Sequence, residues 1–69
     1  MTYAELTRGL RALGCVLKRQ AKGSHEIWHN PSVNRSTVIP KPSGDFPKGT
    51  LAAILKQLGI SRDDIEGAR

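Results

Sequence analysis

The sequence predicts an α+β domain of two layers, built as a helix, a three-stranded antiparallel sheet and a second helix. Three observations lead there. Apolar residues recur at helical spacing near both ends of the chain, at Tyr3, Leu6, Leu10 and Leu13 and again at Leu51, Ile54, Leu55 and Leu58. Between these stretches, residues 15–20, 24–29 and 36–39 form short runs suited to strands, separated by Gly, Pro and Asn. The third observation is length, since 69 residues allow one domain, 1–69, with a thin core.

The first helix should begin at Tyr3, because Thr2 and Glu5 stand at capping-box spacing, and should end at Gly14. Gly9, inside it, costs about 1 kcal/mol against alanine, which fits either close packing against a strand or a tolerated surface glycine. Residues 15–17 are apolar and 18–20 basic or polar, as in a strand that enters the core and leaves it again. A turn at Ala21-Lys22-Gly23 follows. In the second strand, period-two alternation puts His25, Ile27 and His29 on one face and Ser24, Glu26 and Trp28 on the other. Alternation alone does not say which face is inside, although Trp28 as core anchor would leave His25 on the open face.

The turn formers at 30–35 join the second and third strands as a hairpin, and Pro40 and Pro42 end the third strand because they cannot donate to a ladder. Asp45 and Pro47 are start signals for the second long helix, which Gly59 should close. Ser61 offers a cap for a short last helix with Ile65 as its apolar contact, before a tail expected to fray. Both long helices then pack on one sheet face and the other face stays open.

Eleven Lys and Arg against six Asp and Glu give a net charge of +5, which suits a polyanion or an acidic protein. The single Cys15 has no disulfide partner and reads as a small buried residue in a reducing compartment. No basic leader with an apolar run precedes the domain and no stretch approaches the roughly 20 apolar residues of a membrane span. A soluble cytoplasmic protein without membrane contact is expected. No P-loop, Ser/His/Asp set or cofactor motif is recognisable. On a strand, His25 and His29 would stand roughly 13 Å apart, and no acidic or cysteine cluster completes a metal site.

The predicted layout resembles the fold of double-stranded RNA-binding domains. Several segments extend the resemblance: Gly23-Ser24-His25 with Trp28 after it, Ile39-Pro40-Lys41-Pro42, and Asp45-Phe46-Pro47-Lys48-Gly49-Thr50-Leu51 leading into Ile54-Leu55-Lys56-Gln57-Leu58-Gly59. Together, over about residues 3 to 62, they are similar to the HicA toxin family. The resemblance implies a toxin of a type II toxin-antitoxin system, an endoribonuclease that cleaves mRNA and is silenced by a HicB-like antitoxin protein. His25 occupies the histidine of the family's Gly-Ser-His motif and would be the catalytic residue. Lys41 departs from the pattern, since many members have a second histidine between the two prolines.

The residues themselves fit that chemistry. RNA is cut without a metal when a base takes the 2′-hydroxyl proton and the oxygen attacks its own phosphorus, and imidazole, with an ordinary pKa of about 6.5, is suited to the base role. Lys22, Lys41, Arg19 and Lys18 are the candidate RNA-binding cations, with Lys22 and Lys41 favoured. His29 would serve as partner acid if it shared the face of His25. Taken alone, however, a histidine on a strand is an ordinary surface residue and scattered lysines form a solvated face. Two alternatives stand beside the ribonuclease: a noncatalytic RNA-binding module that reads duplex shape, and an inactive toxin relative that acts as a protein-binding partner.

Overall fold

The computed structural model describes all residues, 1–69. Helix α1, Tyr3–Ala12, starts with the capping box: the Thr2 hydroxyl accepts from the Glu5 N–H at 3.2 Å, and the Glu5 carboxylate accepts from the Thr2 N–H at 3.0 Å. Leu6 and Leu10 of its stripe are fully buried, and Tyr3 and Leu13 flank the core. Gly14 follows the cap at φ +90°, a left-handed conformation that glycine adopts without a side-chain penalty.

Strands β1 (Val16–Gln20), β2 (Glu26–Asn30) and β3 (Arg35–Ile39) form one antiparallel sheet with β2 in the centre. Glu26, Trp28 and Asn30 of β2 are buried, while Ile27 and His29 are only half-buried. Trp28 is thus the core anchor, and the face carrying Ile27 and His29 is the open one. Helix α2, Lys48–Leu58, buries the expected Leu51, Ile54, Leu55 and Leu58 and packs against β3. Two polar ties fix that packing: the Asn30 amide donates to the Leu58 carbonyl at 2.7 Å, and the Thr37 hydroxyl donates to Gln57. Helix α3, Arg62–Ala68, is capped by Ser61 and docks on α1 through the fully buried Ile65. No helix is long and apolar enough to cross a membrane.

Four expectations are corrected. β1 does not dip into the core: only the preceding Cys15 is buried, and Val16 and Leu17 are 48% and 38% exposed, because β1 is an edge strand lying away from α2. Gly9 packs against α3 rather than a strand, where a Cβ would sit 2.7 Å from the Ile65 Cδ1. Asp45 does not cap α2, which begins after Pro47 with no side-chain cap; its backbone bridges to Thr2, and its carboxylate lies 3.4 Å from the Met1 amino group. The tail is held, since Arg69 pairs with Glu5 at 2.6 Å and with Glu66 at 3.4 Å.

The α1–α3 contact is testable. Gly9→Ala should be nearly neutral in urea denaturation, because about 1 kcal/mol of helix propensity offsets the displacement of the flexible end of Ile65. Gly9→Leu should destabilise by about 1–3 kcal/mol through overpacking. Cys15, 2% exposed and with its thiol pKa raised by burial, should be alkylated at neutral pH only as fast as the chain unfolds.

Candidate functional site

The β1–β2 connection is built to present one side chain. Gly23 sits at φ +68° with open space where a Cβ would be, so its need for glycine is conformational. The Ala21 N–H donates to the His25 carbonyl at 2.8 Å, and the His25 N–H donates to the Lys22 carbonyl at 3.4 Å. Gln20 clamps the turn from β1, its amide donating to the carbonyls of His25 at 3.1 Å and Gly23 at 3.5 Å. His25 is therefore held one residue before β2 begins, at the end of the turn and not within the strand, and its ring is exposed.

The ring has a defined hydrogen-bonding state. His25 Nδ1 lies 3.2 Å from the Lys22 carbonyl oxygen. A carbonyl only accepts, so this contact requires the proton on Nδ1 and, in the neutral ring, leaves Nε2 with its lone pair. The turn backbone thereby favours the tautomer with Nε2 unprotonated.

Three cations lie on the segments that adjoin this turn. A register shift in β1 between Leu17 and Arg19 leaves Lys18 unpaired and sets Arg19 opposite Ile27, whose side chain belongs to the open face, so Arg19 borders that face and Lys18 stands in the irregularity next to it. Lys22 is exposed in the turn itself. None of the three takes part in an ion pair; the pairs of the molecule lie at Met1–Asp45 and around Arg69. His29 is also on the open face, with Nδ1 2.7 Å from the Ser36 hydroxyl of β3. Lys41 goes elsewhere: its ammonium lies 5.1 Å from the centre of the Tyr3 ring, on the side of the sheet that carries the helices.

On that side a polar cluster escaped the sequence reading. The Glu26 carboxylate, 8% exposed, accepts at Oε1 from the Tyr3 hydroxyl at 2.5 Å and from the Trp28 indole N–H at 3.0 Å. Arg11 covers the Trp28 ring at 5.0 Å. Burial, then the bond to Glu26 and its charge, push the Tyr3 hydroxyl up to about 12. The signal lay in the alternation, since a glutamate on the face of Trp28 must find a donor once the tryptophan is buried.

The site is a surface and not a pocket. The cavity of the molecule, about 200 Å³, lies under α2 and the segment joining it to α3, lined by Ala52, Leu55, Lys56, Ile60 and Arg62. Nowhere do three His, Cys, Asp or Glu side chains converge as metal ligands would.

The fold is thus a small sandwich with one open sheet face, and its candidate site is an exposed imidazole on a turn flanked in sequence by cations without ion-pair partners. Residues 3–60 match the family described as HicA toxin of bacterial toxin-antitoxin. The match spans α1 through the end of α2, and the chain belongs to the HicA toxin family of toxin-antitoxin systems. No curated protein matches the chain.

Tyr3 is the only tyrosine, so phenolate absorbance reads it alone. In the native protein it should titrate near 12; in Glu26→Gln the midpoint should fall toward the ordinary value of about 10. The sign follows from a folded pKa above the unfolded one: the contribution to stability is complete below pH 10 and is lost as pH rises toward 12. Tyr3→Phe should lose that alkaline component.

Proposed function

We propose that the chain is a metal-independent endoribonuclease that cleaves mRNA in the cytoplasm, with His25 as its acid/base residue. The observation that carries this reading is the contact of the exposed His25, through Nδ1, with the Lys22 carbonyl, which leaves Nε2 free in the neutral ring, on a turn that itself carries Lys22 and follows the strand of Lys18 and Arg19, none of them ion-paired. Family membership supports it. Nε2 takes the proton of a ribose 2′-hydroxyl, the 2′-oxygen attacks the adjacent phosphorus, and the P–O5′ bond breaks. The products are a 2′,3′-cyclic phosphate and a 5′-hydroxyl, the leaving oxygen receiving its proton from the imidazolium or from water. The cations oppose the charge that builds on the phosphoryl oxygens.

Among those cations Lys22 is first in line, because it belongs to the turn that holds His25. Lys41 is a candidate only by giving up the Tyr3 ring, and its ammonium would then act as a charge and not as a proton shuttle near neutrality. Silencing falls to a HicB-like antitoxin, whose acidic surface would meet the same basic face.

The test is cleavage of a long single-stranded RNA in EDTA. The native chain should produce cyclic-phosphate ends. His25→Ala, folded by circular dichroism, should lose roughly 10² to 10⁴-fold, and Lys22→Met should lose less. Salt-sensitive RNA binding with no cleavage by the native chain would replace the enzyme with a binding module, and equal cleavage by His25→Ala would remove His25 from the mechanism.

A further inference from the structure

We infer that His29, held by Ser36, is a stacking platform for a nucleobase of single-stranded RNA flanking the cleavage position; the inference rests on the ribonuclease reading. His29 stands four residues beyond His25, and three of those steps run along β2, so roughly 10–13 Å of backbone separates the two. A group that gives or takes a proton must come within about 2.6–3.2 Å of its target, directly or through one water. His29 is therefore too far to act on the phosphate that His25 attacks, and it meets another nucleotide of the same strand.

The local structure favours stacking. His29 stands between Val16 of β1 and Ser36 of β3, its direct neighbours across the sheet. The 2.7 Å contact of Nδ1 with the Ser36 hydroxyl fixes the ring's orientation. A ring held in place loses little freedom when a base settles on it, and histidine is among the side chains on which unstacked RNA bases lie. On the face of His29 runs an aliphatic floor of Ile27 and Val38, the latter 50% exposed, with Val16 beside His29 at 48%.

The electrostatic side of the path agrees. Lys18 and Arg19 border it along β1, and no carboxylate joins them, because the one acidic residue of the sheet, Glu26, is buried on the opposite face. A strand lying along β2 would put its bases over the aliphatic floor and its phosphates toward β1. Duplex RNA cannot use such a platform, because its bases are already stacked and paired.

The experiment measures binding of a single-stranded 2′-O-methyl RNA oligonucleotide, which lacks the nucleophile, by fluorescence anisotropy to the native chain, His29→Ala and His29→Phe. Loss of one stacked base should weaken His29→Ala by about fivefold or more, and His29→Phe should bind nearly as the native chain. The same oligonucleotide annealed to its complement should bind all three equally. Native affinity in His29→Ala, or equal weakness of both variants, overturns the platform. Retained RNA affinity in His29→Ala with weakened hold on a copurifying acidic protein would assign the ring to a protein interface and overturn it as well. Cleavage by the native chain that is indifferent to His29 would sink the platform alone; failure of the native chain to bind or cleave single-stranded RNA would overturn the ribonuclease reading with it.

Discussion

The buried carboxylate of Glu26 is the constraint around which the candidate site is arranged. A charge at 8% exposure is tolerable only with donors in place, and the chain supplies two, the Tyr3 hydroxyl from α1 and the Trp28 indole from β2 itself. Because β2 starts at Glu26, these bonds locate the residue that follows His25 relative to the first helix. The Gly23 turn then has a fixed point to end on. Lys41 over the Tyr3 ring ties the proline loop to the same helix, so one short region gathers α1, the start of β2 and the segment after β3.

The two sides of the sheet thus divide the work. Trp28, Thr37 and Ile39 face the helices and bury the core, while Ile27, His29 and Val38 face outward. A domain this small cannot enclose a pocket around a reactive group without giving up core. The candidate site therefore lies on a surface, with His25 and Lys22 in the β1–β2 turn and Lys18 and Arg19 on the strand before it. Such an arrangement has little to exclude water or to pre-align a leaving group, so the proposed ribonuclease would turn over slowly.

Much of this was legible in the residues. Helical spacing of leucines, the Thr2–Glu5 box and Gly59 located α1 and α2, because local side-chain patterns determine those features. What stayed hidden depends on contacts between distant segments. The burial of Cys15 without Val16 and Leu17 reflects which strand the helices cover, and no local pattern records that. Gly9 signalled close packing, but its partner Ile65 lies in a helix far along the chain. The bond between His29 and Ser36 needed the register of β2 against β3, set by the turn between them and its left-handed Asn34. The place of Lys41 needed the Tyr3 ring, which sequence distance concealed.

The irregularity in β1 has a second effect besides setting Arg19 at the border of the open face with Lys18 next to it. β1 is an edge strand with no side chain buried, and Val16 and Leu17 leave apolar surface beside its open backbone groups. A straight strand of that composition would be a template for strand addition by another copy. The bulge breaks the hydrogen-bonding repeat, and the two cations placed there make like-charged edges repel. The feature that assembles the basic border thereby also works against strand addition along β1.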